Sequence, residues 1–173
     1  MNYASIKKTD VANGPGVRVS LFVSGCTHHC KGCFNSETWN FHYGEPYTEE
    51  VEKEILAALS PDFIQGLTVL GGEPMEDVNR PAVLGLLRKV RETYPKKDIW
   101  CYTGYEYEKD LQKWISEGKQ DMEEILNCLD VLVDGEFVEE KKNLSLKFRG
   151  SENQRLIDVP ATLAQGKVME KEV

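Results

Sequence analysis

The sequence predicts a single α/β domain, residues 1–173, built on mostly parallel strands. Three observations carry this reading. Short apolar runs alternate with helical patterns along the chain, the arrangement that favours parallel strands joined by right-handed crossovers. Each special loop, rich in cysteine or glycine, directly follows one of those runs. The 173 residues, 40% hydrophobic and 29% charged, suffice for one core with an ordinary soluble surface.

Residues 1–16 read as a lead-in that ends in a turn at Asn13-Gly14-Pro15-Gly16. The first strand is expected over Val17–Ser24, where Val17, Val19, Leu21 and Val23 alternate with Arg18, Ser20, Phe22 and Ser24. A cysteine loop, residues 24–35, follows at once, and residues 34–47 read as aromatic, polar and irregular. Thr48 can cap a helix whose first turn carries Glu49 and Glu50, with Ile55, Leu56 and Leu59 as its apolar stripe before Pro61. Leu67–Leu70 is a strand stopped by Gly71-Gly72-Glu73-Pro74. A helix is expected from about Pro81 to Tyr94 and a strand over Asp98–Thr103, closed by Gly104. Helical patterns over residues 110–117 and 121–128 lead to a strand at Asp130–Asp134, ending at Gly135. Residues 144–159 have room for one or two short strands, and residues 160–173 read as a frayed end. In such a sheet ligands sit at the C-terminal ends of the strands. The cysteines, Gly-Gly-Glu-Pro, Tyr102-Thr103-Gly104 and Asp134-Gly135 should therefore converge on one edge.

Composition narrows the function. A net charge of −8 argues against a nucleic-acid partner, which needs a basic surface. No apolar run approaches the length of a membrane span, and the N-terminus has no signal-like apolar region. Five cysteines, three of them clustered, do not form a disulfide framework, so a reducing cytoplasm is expected.

The chemistry concentrates in Cys26-Thr27-His28-His29-Cys30-Lys31-Gly32-Cys33, a C-x3-C-x2-C spacing. Three thiolates can each hold one iron of a four-iron cluster, leaving the fourth iron without a protein ligand. Clusters of this kind are normally held by four cysteines, and an open position is where a metal does chemistry. The alternative is a zinc site with His28 or His29 as fourth ligand, although zinc sites usually add a second, distant ligand pair that this chain lacks. Cys101 and Cys128 read as core residues. Asp130 and Asp134 read as turn formers or ribose ligands. Arg18 reads as a surface ion pair or a carboxylate partner, and Tyr102, Tyr105 and Tyr107 as a pocket lining or an aromatic rim.

The cysteine spacing resembles that of the radical S-adenosylmethionine (SAM) enzymes. Further stretches narrow the resemblance to the activating enzymes of anaerobic (class III) ribonucleoside-triphosphate reductases: Asn13–Arg18, Leu21–Cys26, Cys33-Phe34-Asn35, Ile99–Tyr105, Asp130–Gly135 and Phe148–Arg155. The likeness runs from about residue 10 to about residue 158. It implies a trimmed radical SAM fold, a partial (β/α) barrel. It implies a [4Fe-4S] cluster held by Cys26, Cys30 and Cys33, and SAM held by Gly32, Cys33 and Phe34 near the adenine and by Gly71, Gly72, Glu73 and Pro74 at the amino group. Glycines let the backbone come close, while backbone carbonyls and Glu73 can accept hydrogen bonds from an ammonium.

The activity implied is that of an oxidoreductase. One electron from the reduced cluster cleaves SAM to methionine and a 5′-deoxyadenosyl radical, which takes a hydrogen atom from a glycine of the reductase. Cluster potentials extend to roughly −700 mV, the range that reducing a sulfonium demands. A low-potential donor such as flavodoxin or ferredoxin is the expected electron source. The rival readings are an activase of another glycyl radical enzyme, of the pyruvate formate-lyase type, and a non-catalytic metal-stapled binding module.

Overall fold

The apolar runs of the sequence become the centre of one seven-stranded sheet. The computed structural model describes residues 1–173. Its strands are β1 (Asn2–Asp10), β2 (Val17–Val23), β3 (Glu45–Pro46), β4 (Ile64–Gly71), β5 (Asp98–Tyr102), β6 (Val131–Asp134) and β7 (Arg155–Asp158). Its helices are α1 (Glu49–Ala58), α2 (Arg80–Thr93), α3 (Gln112–Ser116), α4 (Gln120–Cys128) and α5 (Val159–Gln165). The strand order is β3-β1-β2-β4-β5-β6-β7. The pairings β2–β4, β4–β5 and β5–β6 are parallel, while β1–β2, β1–β3 and β6–β7 are antiparallel. The sheet is therefore mixed, parallel at its centre and antiparallel on both sides.

Local chemistry explains the helices. Thr48 Oγ1 accepts a hydrogen bond from Val51 N at 3.4 Å, and Glu49, Glu50 and Glu52 occupy the first turn of α1, next to the positive end of its dipole. Helix α2 has Pro81 in its first turn, where no N–H is needed, and buries Val83, Leu84, Leu86, Leu87 and Val90. Helix α4 buries Met122, Ile125 and Leu126. These side chains meet Leu21, Val23, Leu67, Val69, Ile99, Cys101 and Leu132 in one core on a single face of the sheet. The other face carries only a small cluster of Trp100, Val131, Val133 and Leu156, flanked by Tyr102 and Phe148. No helix covers it in full, and that is where a cavity opens. No helix of the chain is long and apolar enough to cross a membrane.

Several expectations are corrected. The lead-in is strand β1, whose polar, half-exposed residues conceal it in the sequence because only its backbone is needed to extend β2. The segment after the cysteines contains a 3-10 turn at Ser36–Trp39 and the short β3. Residues 107–111 form a π-helical turn that runs into α3. The frayed end is instead ordered: Asp158 caps α5 through Ala161 N, and Met169 and Lys171 pair with the backbone of β7. Arg18 is neither at the surface nor beside the cysteines. It is fully buried, bonded to Thr68 Oγ1 (2.8 Å), Leu67 O (3.0 Å) and Asp98 Oδ1 (2.5 Å), in the middle of β4 and at the start of β5.

Candidate active site

Strand β2 delivers the chain to Cys26 through a root that is pinned on both sides. Gly25 N donates to Thr38 O (2.7 Å), Cys26 N to Trp39 O (3.2 Å) and Ser24 Oγ to Tyr43 O (2.7 Å). The neighbouring strand β4 ends in Gly71-Gly72-Glu73-Pro74, and this loop lies directly on that root. Gly72 N donates to Val23 O at 2.9 Å and Glu73 N to Gly25 O at 2.7 Å. A Cβ on Gly72 would stand 2.6 Å from Gly25 O and 2.9 Å from Thr38 O, so the close approach of the two loops requires glycine. Gly71 adds a φ of +118°. None of these bonds uses the Gly72 carbonyl.

The Glu73 side chain is 1% exposed and accepts four hydrogen bonds. Oε1 accepts from Gly104 N (2.7 Å) and lies 2.8 Å from His28 Nε2; Oε2 accepts from Met75 N (2.8 Å) and Thr103 Oγ1 (2.8 Å). It therefore ties together the cysteine loop, its own loop and the loop after β5. Asn79, also buried, donates from Nδ2 to Ser24 O and Glu73 O and closes the same junction.

His28 stands between Glu73 and Glu136, its Nδ1 lying 3.2 Å from Glu136 Oε1. Burial opposes its charge, but bonding to Glu73 and Glu136 outweighs that and raises its pKa to about 8. With both ring nitrogens engaged, His28 has no lone pair to spare for a metal. His29, at φ +50°, stacks on Trp39 with ring centroids 4.5 Å apart. The histidines thus shape the loop.

Cys26 is buried, Cys30 and Cys33 are half-buried, and all three thiols are free. Burial pushes the Cys26 thiol up to about 12, with the Glu73 charge adding to the effect, and burial also raises Cys30. Thiolates form at such positions when a metal supplies positive charge. The three thiols border one cavity of about 620 Å³, an ordinary size for a cofactor site. A four-iron cluster takes thiolates at its corners, and His28, engaged at both ring nitrogens, does not complete a zinc set. Asn35 N donates to Cys33 Sγ at 3.4 Å, a contact of the type that tunes a cluster's potential.

The loops expected to converge do so. Cys26, Cys30, Cys33, Phe34, Gly71, Gly72, Glu73, Tyr102, Thr103, Gly104 and Gly135 all border the cavity. Phe34 stands at its mouth, 61% exposed and against Phe137. Gly32 and Pro74 lie outside the lining; Gly32 turns with φ +78° beside Glu139, and Pro74 is buried behind the loop. Asp134 is buried in an ion pair with Arg155 (2.6 Å), and Asp130 pairs with Arg91 (2.6 Å). Tyr102 borders the cavity, Tyr105 bonds Glu76 and Tyr107 is in the core. Cys101 is fully buried and Cys128 packs against the core, as expected. Sequence reading passed over His28 as a bridge, Asn79 and Phe137. Only the proximity of His28 to the cysteines offered a signal.

A family model described as a 4Fe-4S single cluster domain matches residues 12–157. The chain is 44% identical over 156 residues to the anaerobic ribonucleoside-triphosphate reductase-activating protein of Vibrio cholerae, covering 89% of this chain and 96% of the relative. It is 44% identical over 158 residues to the protein of the same name from Enterobacteria phage T4, covering 90% and 93%. The corresponding protein of Escherichia coli (strain K12) is 40% identical over 156 residues, covering 89% and 96%.

Proposed function

This chain belongs to the family of anaerobic ribonucleoside-triphosphate reductase-activating proteins and carries its 4Fe-4S single cluster domain, and from that premise we propose that it is a radical SAM activase of such a reductase. Its substrates are SAM and one glycine of the reductase, and its electron donor is a low-potential protein such as flavodoxin or ferredoxin. It works in the cytoplasm, on a sheet that forms a trimmed, partial (β/α) barrel. The observation that carries this reading is the meeting of three free thiols and the Gly-Gly-Glu-Pro loop on one cavity.

Cys26, Cys30 and Cys33 hold the cluster in this proposal. When bound, the cluster supplies the electron for reductive cleavage of SAM, the chemistry that ends in a glycyl radical on the reductase. The chain's own residues bind, orient and shield. The Gly72 carbonyl, free of protein donors, accepts from the SAM ammonium. Glu73 and Pro74 hold that loop in place, the former through its four hydrogen bonds. Gly32, Cys33 and Phe34 form the adenine side, where the positive φ of Gly32 turns the chain and Phe34 closes the mouth against water. No proton is transferred when a carbon radical takes a hydrogen atom, so no general acid or base is required.

Electron paramagnetic resonance on anaerobically reconstituted, reduced protein tests the proposal. A [4Fe-4S]⁺ signal that changes shape with SAM, followed by a glycyl radical when the reductase is added, is the expected result. Stoichiometric zinc without a cluster signal, or a cluster signal indifferent to SAM, would refute it.

A further inference from the structure

The cavity holds an unused cation. In a chain of net charge −8, the only acidic side chain bordering the cavity is Glu73, whose carboxylate oxygens already take four donors. Two permanent cations, Lys7 and Arg149, border it as well. Lys7 is exposed and lies over the Phe22 ring, 5.1 Å from its centroid. Arg149 is different: its Nε is buried and has no hydrogen-bond partner. A buried donor left in that condition is costly unless an acceptor completes it, and an anion suits a guanidinium best.

The surrounding segment is built to present this side chain. Phe148 has a φ of +62°, a left-handed conformation that is strained for a non-glycine residue and that concentrates at functional sites. It is held there by Tyr102 Oη, which donates to Phe148 O at 2.6 Å, and by edge-to-face packing on Trp100. Beyond Arg149, Gln154 Oε1 accepts from Gly150 N (2.9 Å) and Ser151 N (3.1 Å). Gln154 Nε2 donates to Gly135 O (3.0 Å) and Asn153 Nδ2 to Glu136 O (2.8 Å), which clamps the segment to the loop after β6. The Arg-Gly-Ser-Glu-Asn-Gln stretch is thus a brace, and Arg149 is the one member whose polar group the brace leaves unsatisfied.

We propose that Arg149 binds the carboxylate of the methionine moiety of SAM and so orients SAM in the cavity. This inference rests on the reading of the cavity as a SAM site. A guanidinium offers a planar, permanently charged fork that matches a carboxylate. In the same reading the Gly72 carbonyl takes the ammonium of that amino acid, and Gly72 and Arg149 both border the cavity.

The test is equilibrium dialysis of the anaerobically reconstituted full chain with SAM and with 5′-methylthioadenosine, which lacks the carboxylate. Arg149→Gln is expected to weaken SAM binding by about 10- to 100-fold, the effect of one charge-assisted contact, and to leave 5′-methylthioadenosine unchanged. Arg149→Lys is expected to recover most of the loss. Iron content, melting temperature and the SAM-free cluster spectrum of R149Q are expected to match the parent protein. Undiminished SAM binding by R149Q would overturn the inference. So would an equal loss of both ligands, or a variant that unfolds or loses iron, because the guanidinium would then serve the fold or the cluster. A parent protein that binds no SAM refutes the underlying reading instead, and the two failures are thereby distinguished.

Discussion

Replacing Glu73 by glutamine exchanges one oxygen for an NH2 group and removes one charge, yet the structure makes it a severe substitution. Each carboxylate oxygen of Glu73 faces one backbone N–H, from Gly104 on one side and Met75 on the other, and one adaptable partner, His28 or Thr103. A histidine can change tautomer and a hydroxyl can rotate, but a backbone N–H cannot turn into an acceptor. Whichever way the glutamine amide is placed, its NH2 therefore confronts a buried N–H and leaves it unpaired, at about 1–3 kcal/mol. The three remaining bonds lose their charge assistance, about 1 kcal/mol each. The expected loss is about 4–6 kcal/mol, a large share of the 5–15 kcal/mol that holds an ordinary domain together. Urea titration of the reduced, metal-free chain, followed by tryptophan fluorescence, reads this directly. With a slope of about 2 kcal/mol per molar, the midpoint should fall by about 2–3 M. A loss below about 1 kcal/mol would refute the reasoning and leave Glu73 a residue whose role depends on ligand alone.

Cys26→Ser, Cys30→Ser and Cys33→Ser should each abolish stoichiometric iron and the cluster's visible absorbance after reconstitution, whereas Cys101→Ser and Cys128→Ser should keep both; iron analysis decides. Gly72→Ala should cost about 1–3 kcal/mol by driving a methyl group into Gly25 O and Thr38 O, visible as a lowered melting temperature. Arg18→Met should cost about 1–3 kcal/mol by taking the donor from Leu67 O and the ion-pair partner from Asp98, which keeps only Gln65, yet SAM affinity of the folded fraction should be unchanged, which calorimetric titration can check. Hydrogen bonds from Arg155 hold the Glu108 carboxyl below its ordinary value of 4.5. That pairing adds stability above pH 4.5 and loses it as pH falls through the lower folded value, so Glu108→Gln should flatten the acid limb of a plot of stability against pH.

Much of the architecture was legible because it is local. The alternation of Val17–Val23, the capping threonine before α1 and the apolar spacing of α2 are short-range patterns, and each element lies where they point. Strand β1 escaped because, covered on its outer side only by the two-residue β3, it needs little more than its backbone, and Lys7 and Lys8 on it resemble a polar lead-in. The C-terminal pairing of Met169 and Lys171 with β7 escaped for the same reason: backbone bonds leave no trace in side-chain periodicity.

By itself the sequence determined the chemistry that a few consecutive residues can carry. Three cysteines at C-x3-C-x2-C concentrate thiols in one loop, and the placement of each glycine-rich loop after a strand sent them all to one edge. What only the tertiary structure decided is how each charge is used. Arg18, beside the cysteine strand in sequence, is spent on Thr68 and Asp98, far along the chain. Glu73 gathers Gly104, Thr103 and His28 through the register of three parallel strands, and Arg149 meets the cavity only because Tyr102, Gly135 and Glu136 brace its segment. Hydrogen bonds between residues distant in sequence depend on which strands pair and in what register, and a single sequence leaves that pairing unspecified.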